Sequence, residues 1–421
     1  RDALLKTLIL SHHLVPANGT LPDGAEALMN TDADLDEYRG RHLIEMLNSF
    51  HDRGILRSNS GVDLYIREDA ADPGADAFVG PVFWNSPDLW VRNSDDGGTT
   101  HQNPEFGQDN WFYARVSNRG TQPARAFVVT FNVKPWAGVQ FVYPGDFIPY
   151  ISAAVGYDLA PGASAIVKAK WPEALVPATG THACWLASVY TPVDPVPAGR
   201  HVWEHNNLAQ KNLTVVDVIP GDGVTIPVQI GSQFLQNPER YRLEVLRPRT
   251  WPNLPVAITH PRPEVLERLW RSPGEIEFQL PAVRVQPIPV LRFLEPSRIE
   301  IAHRGLGVEP VRISLGRDSM LDIGLAEPEE KSADATLGDS GRDVDLVPQA
   351  EGNLALAFRP GLLTGFPIGL KPRTPIKVDL KIQVPQEARL GETMEIHLVQ
   401  RDKKQQVVGG ITVQVNIVKR G

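Results

Sequence analysis

The sequence predicts a mainly β protein: tandem Ig-like antiparallel β-sandwich domains behind a small N-terminal helical element. Three observations carry this. Beyond residue 60 apolar residues recur at every second position, as in Val62, Leu64 and Ile66, the period of a half-buried strand. The strand-like runs are short and separated by turn sequences such as Asn118-Arg119-Gly120 and Ala160-Pro161-Gly162, a spacing that suits an antiparallel sandwich better than βαβ units. Glycine and proline, 35 and 37 in 421 residues, exceed ordinary usage without reaching low complexity, as many turns require. With 42% hydrophobic and 22% charged residues, the chain has the composition of a folded protein rather than a disordered one. At about 150 residues per domain the length admits two to three domains. The divisions expected are a helical element over 1–60, an Ig-like sandwich over 61–220 and a second sandwich-like domain over 221–421.

The elements follow in order. Leu4, Leu5, Leu8 and Ile9 recur at helical spacing, and a loop around Pro16-Ala17-Asn18-Gly19 follows. A second helix is expected from about Asp34 to Asp52, with Leu35, Tyr38, Leu43, Ile44, Leu47 and Phe50 as its apolar stripe and Gly54 as its stop. Two such helices are too small to stand alone, so they must pack on another part of the chain. After an irregular stretch over 68–110, strands are expected at Trp111–Ser117, Arg125–Val133, Ser164–Lys170, His182–Thr191 and Leu213–Val218. In the second half they are expected at Val224–Ile230, Arg240–Leu246, Glu275–Leu280, Arg298–His303, Val311–Leu315, Ile376–Val384, Thr393–Gln400 and Val407–Val418, with one helix at Pro263–Arg271. Residues 326–352, rich in Asp and Glu, read as an acidic loop. No repeat of fixed period argues for a solenoid or a propeller.

Residues 86–218 carry a family resemblance. Ser86-Pro87-Asp88-Leu89-Trp90-Val91-Arg92 is followed by Asn103-Pro104-Glu105-Phe106-Gly107-Gln108-Asp109-Asn110, by Val116-Ser117-Asn118-Arg119-Gly120, and by His205-Asn206-Asn207-Leu208-Ala209-Gln210-Lys211-Asn212. This segment, about a third of the chain, resembles the bacterial extracellular CARDB-like, cell-adhesion-related Ig-like modules. The resemblance implies a fold and not an active site, and it implies an extracellular or cell-surface setting as part of a larger bacterial protein. The residue chemistry agrees with the fold. Asn118 and Gly120 suit a turn needing positive φ, and Asn206 and Asn207 can bond nearby backbone before the final strand.

A net charge of −8 argues against a general nucleic-acid or anionic-membrane partner. No apolar run reaches the roughly 18 residues of a membrane-spanning helix. Asp2–Leu10 lacks the apolar region and cleavage site of a signal peptide. The start at Arg1 reads as a processing boundary, so the expected partner is another protein or an upstream domain of the same precursor, with a homo-oligomer also admitted. The single cysteine, Cys184, excludes an intrachain disulfide and reads as a core thiol on a strand.

Candidate chemistry is sparse. Gly338-Asp339-Ser340-Gly341 matches a serine-protease nucleophile motif over four residues. It lies in an acidic loop that offers neither a histidine base nor an oxyanion hole. Asp32-Ala33-Asp34-Leu35-Asp36 has the start of a calcium loop but Glu37 and Leu43 where glycine and glutamate belong, and Asp34 with Glu37 reads better as a helix capping box. His201-Val202-Trp203-Glu204-His205 has the wrong order for a zinc helix, and adjacent His12 and His13 cannot face one ion on a helix. No catalytic set and no cofactor are therefore expected. Ca²⁺ is the one ion allowed for, at Asp95 and Asp96 in a Gly-rich turn. Seven of the nine tryptophans lie between 84 and 203. Trp84, Trp90, Trp136 and Trp203 sit in or beside turn-rich segments and are the binding candidates, whereas Trp111 and Trp185 read as core. These features favour a non-catalytic recognition or assembly protein. An accessory region of a secreted peptidase is the alternative, and a carbohydrate-binding module the weaker one.

Overall fold

The computed structural model describes residues 2–77, 82–134, 141–178, 183–230, 239–271, 299–301, 311–315, 321–322, 343–349, 353–370, 376–402 and 407–420. Three helices open the chain: α1 (Asp2–Ser11), α2 (Leu21–Asp34) and α3 (Leu43–Asp52). Helix α2 was not expected. Its apolar residues are small, Ala25 and Ala27 beside Met29, so its stripe is weak in sequence although all three are buried. What starts it is a capping box: the Thr20 hydroxyl accepts the Asp23 N–H and the Asp23 carboxylate accepts the Thr20 N–H at 2.6 Å. Asp34 therefore ends α2 instead of capping a helix with Glu37. The chain then turns through Arg39 and Gly40, both at positive φ, and α3 begins only at Leu43. Buried Asp32 holds that turn, accepting the His42 N–H at 3.0 Å and meeting its Nδ1 at 2.7 Å.

The first sandwich contains β1 (Leu64–Tyr65), β2 (Leu89–Arg92), β3 (Asn110–Asn118), β4 (Ala124–Lys134), β5 (Ser152–Leu159), β6 (Ser164–Trp171), β7 (Cys184–Tyr190) and β8 (Leu208–Lys211). In one sheet β3 pairs with β6 on one edge and with β1 and β2 on the other. The second sheet runs β5-β4-β7-β8, and every pairing in both is antiparallel. Phe112 and Val116 from the first sheet meet Phe127, Val129, Phe131 and Ala187 from the second, with Trp171 and Trp185 filling the same core. The opposite face of the second sheet, with Ala126, Val128 and Ala153, is covered by Met29, Leu43 and Leu47 of the helices. Burial on both faces explains why β4 reads as a nearly unbroken apolar run. Three layers result, and the helical element packs on the sandwich as its size required.

Asn118 organises the β3–β4 turn. Its amide donates to the carbonyls of Gln122 at 2.9 Å and Leu159 at 3.0 Å, and its side-chain oxygen accepts the Gly120 N–H at 3.0 Å. Gly120 is required for a different reason from the expected one. It is not among the positive-φ glycines; a Cβ there would stand 2.2 Å from the Gly61 carbonyl oxygen. Asn206 and Asn207 also reach farther than expected, to Asp63 and Gly74 and to Val189 and Asp194.

The second half continues with β9 (Leu213–Val218), β10 (Gly223–Ile230), β11 (Glu239–Leu246), β12 (Val256–Thr259), helix α4 (Pro263–Arg271), β13 (Ile299–Ile301), β14 (Val311–Leu315), β15 (Leu321–Asp322), β16 (Val344–Pro348), β17 (Leu354–Phe358), β18 (Leu363–Leu370), β19 (Ile376–Gln383), β20 (Thr393–Arg401) and β21 (Val407–Ile417). Two five-stranded sheets, β10-β19-β12-β17-β16 and β18-β11-β20-β21-β9, enclose a core that includes Ile226, Leu243, Ile258, Phe366, Leu380 and Val413. Helix α4 adds Val265, Leu266 and Leu269 to it. Strands β13, β14 and β15 form a small antiparallel sheet.

Two expectations change here. Leu213–Val218, read as the close of the first sandwich, pairs in parallel with β21 along six residues and so belongs to the second. Alternation alone does not say which sheet a strand joins. Within the expected acidic loop, Val344–Pro348 is a strand paired with β17, because Val344 is buried against the core. Residues 326–342 and 350–352, the 338–341 motif among them, and the expected strand Glu275–Leu280 lie outside the described residues.

A separate apolar cluster joins the two sandwiches. Phe83, Trp84, Phe141, Phe147, Cys184, Leu186 and Leu208 meet Val399 and Val407 of β20 and β21. At its centre Asn212, fully buried, donates through its N–H to the Trp84 carbonyl at 2.8 Å and through its side-chain amide to the Gly410 carbonyl, and its own carbonyl accepts the Thr412 N–H at 2.9 Å. A Cβ on Gly410 would stand 2.8 Å from the Trp84 ring, so only glycine allows this approach.

Candidate functional site

Beside this junction the two sandwiches leave a cleft of about 490 Å³. Its second wall follows from strand alternation. Met394, Ile396 and Leu398 of β20 face their own core, which turns Glu395 and His397 outward. On β21, Ile411, Val413 and Val415 face in and Gln414 faces out. The first wall is built from the segments around β2 and β8 and includes Asp69, Asn85, Trp90, Thr99, His101 and Lys211. Asn103 anchors the rim, its side chain donating to the Val215 carbonyl at 2.6 Å and accepting the Val215 N–H at 2.9 Å. The volume falls within the size range of small-molecule sites, and polar groups stand there among apolar ones such as Leu89 and Leu213.

Lys211 is the most unusual residue in the cleft. It is 6% exposed, and among the described residues its Nζ makes one hydrogen bond, a donation to the Ser86 carbonyl at 2.6 Å. Burial pushes its pKa down to about 8, against the opposing pull of Glu395 and Asp88. Asp88 itself is held by Arg67 at 2.7 and 2.8 Å and by Arg115 at 3.2 Å. His101 is fixed by the Val91 N–H, which donates to its Nδ1 at 3.1 Å and so leaves the ring proton on Nε2. Burial holds His101 well below the ordinary histidine range, with Lys211 adding to the effect. Burial also pushes His397 down to about 4, and its Nδ1 meets the Thr412 hydroxyl at 2.9 Å. The cleft therefore combines two neutral imidazoles, the carboxylates of Glu395 and Asp69, and an amine with a single acceptor.

The sequence-derived candidates fall elsewhere, with one exception. Trp84 is fully buried in the junction, so it is a packing residue and not a solvent-facing contact. Trp203 is partly buried against the same cluster and stacks on His201 at 4.4 Å. Trp136 lies outside the described residues. Trp90 does line the cleft, but its ring faces are occupied, by Tyr113 at 5.5 Å and Arg115 at 5.7 Å, and its Nε1 donates to the Gly98 carbonyl at 2.8 Å. Asp95 accepts from Lys168 at 2.6 Å and from the Tyr113 hydroxyl at 3.0 Å. Asp96 pairs with Arg92 at 2.6 Å, which with the Gly98 N–H holds its carboxyl far below the usual range. The two carboxylates point to different cations of the protein, not to the shared oxygen cage Ca²⁺ takes. Among the described residues no group of three or more His, Cys, Asp or Glu side chains is placed to hold a metal. His101, His397 and Glu395 carry no motif, and Lys211 falls in the His205–Asn212 segment, which points to a fold and not to a site. The one signal was three consecutive polar residues, Gln210-Lys211-Asn212, within a strand-like run.

No family model matches the chain, and no curated protein matches it. Among solved structures it is similar to the sixth cohesin of scaffoldin B from Acetivibrio cellulolyticus, at 10% identity over 48% of this chain and 94% of that one, with a TM-score of 0.15. It is similar to a collagen adhesin from S. aureus at 8% identity over 79% and 92%, TM-score 0.16. It is similar to the C-terminal domain of an antigen I/II-family protein from Streptococcus pyogenes at 9% identity over 77% and 98%, TM-score 0.16. The likeness is distant. At such scores it says nothing of ligand or partner. The fold stands on its own sheets: mainly β, two sandwiches in tandem, with N-terminal helices.

Proposed function

We propose that this chain is a non-catalytic recognition protein that takes its ligand in the cleft between its two sandwiches. The observation that carries the reading is the cleft itself: a space of about 490 Å³, walled by both sandwiches and lined by the buried Lys211, whose amine has one acceptor among the described residues. Buried polar groups are normally satisfied, and a ligand supplies what the protein here does not. The proposal divides the chain into a helical element over 1–60, an Ig-like sandwich ending at Asn212 and a second sandwich from Leu213, because β9 pairs with β21. It sets the protein outside the cell or at its surface, as the resemblance of residues 86–218 implies. Helix α1 and the turn after it leave Leu5, Leu8, Ile9 and Leu14 exposed, which supports a protein neighbour or an adjoining domain as a second contact.

The test is a ligand screen with glycans, short peptides and small metabolites, read by tryptophan fluorescence and run in parallel on Thr99→Trp. Thr99 is exposed at the cleft, so the larger ring obstructs the space without disturbing a core. A ligand bound by the native chain and lost in Thr99→Trp at unchanged melting temperature is the expected result. Ligands bound equally by both chains would overturn the cleft as the site. Turnover of any of them would overturn the non-catalytic reading.

A further inference from the structure

We propose that Lys211 captures carbonyl compounds, its amine condensing reversibly with an aldehyde held in the cleft. The inference rests on the cleft being the ligand site. Three observations support it. Lys211 is one of the residues that line the cleft. A buried ammonium ion needs acceptors for three N–H groups, and among the described residues this one has the Ser86 carbonyl alone. A neutral amine in the same place satisfies that carbonyl with one N–H and keeps its lone pair for a ligand. With the pKa near 8, about a quarter of the side chain is unprotonated at about pH 7.5, against roughly one part in a thousand for an ordinary lysine.

The chemistry balances without any further reagent. The Lys211 nitrogen adds to the carbonyl carbon, and the carbonyl oxygen gains a proton to give a carbinolamine. That oxygen then leaves as water with the two hydrogens the amine has given up, and a C=N bond remains. Water reverses the step. Neutral His101 and His397 and the carboxylate of Glu395 stand in the same cleft as proton donors and acceptors. Leu89 and Leu213 favour a ligand with an apolar body.

The experiment uses the full chain, propanal as probe and cyanoborohydride to reduce the imine to a stable secondary amine. Labelled peptides are then quantified at neutral pH. Lys377 and Lys381, both exposed, serve as internal references. Lys211 is expected to label about tenfold faster than either, and to reach a plateau above about pH 8 while the references continue to accelerate. The preference should vanish in denaturant. If Lys211 labels no faster than the references, or last of all as an inaccessible structural lysine would, the proposal is overturned. Should that happen while ligands from the screen still depend on an open cleft, only carbonyl capture fails. If Thr99→Trp also leaves every ligand unaffected, the recognition site fails with it.

Discussion

Glu68 is a carboxyl group placed where its charge has no support. It is 2% exposed, its Oε2 has no hydrogen-bond partner among the described residues, and Asp72 and Asp69 are its neighbours. Burial first, then those two charges, pushes its pKa up to about 10. Between its unfolded value near 4.5 and about 10, the folded chain keeps a proton that the unfolded chain releases, so rising pH favours unfolding. Glu68→Gln removes that dependence. Denaturant unfolding should show the variant more stable by about 1–3 kcal/mol at pH 8 and nearly equal to the parent near pH 5. An equal difference at both values would mean that the carboxyl is not the cause. Residues such as this were not legible in the sequence. Glu68 and Lys211 look like ordinary strand-flanking charges until the fold closes over them. Trp84 misleads in the opposite direction, because a turn-rich segment reads as exposed although another part of the chain covers it.

Elements were far more legible than sites. Strands such as Gly223–Ile230 and Ile376–Gln383 follow from alternation, because one face of each meets a core. Helix α4 follows from its apolar spacing. Strand β5 escaped because Ser152, Ala153 and Ala154 are small, and β8 because it is buried throughout, charged and amide residues included. Helix α2 escaped for want of large apolar residues, and its stability rests correspondingly on its start. Thr20→Ala should cost about 1 kcal/mol and raise amide exchange across the first turns of α2, whereas Thr20→Ser retains the cap and should change little. Equal losses from the two substitutions would show that the methyl group, not the hydroxyl, is what matters.

Across the whole molecule the connection between the sandwiches is built rather than merely covalent. The chain leaves β8, passes Asn212 in the buried junction and goes directly into β9, so there is no linker between the two. The cleft consequently has walls whose spacing is set by Trp84, Val399 and Gly410, and none of this was visible in a sequence whose two halves each read as self-sufficient. The pairing of β9 with β21 has a mechanical side. These are the first and last strands of the second sandwich, they lie next to each other, and they run the same way from Leu213 beside Thr412 to Val218 beside Ile417. Tension applied through the chain pulls on Leu213 at one end of the ribbon and on Ile417 at the other. The load runs along the strands, so the pairs between them are sheared together instead of being unzipped one at a time. Single-molecule stretching should therefore find the second sandwich yielding at high force in one step, and Val216→Pro, at one of the alternate residues whose backbone faces β21, yielding early. A domain tied in this way transmits a pull from neighbour to neighbour without opening.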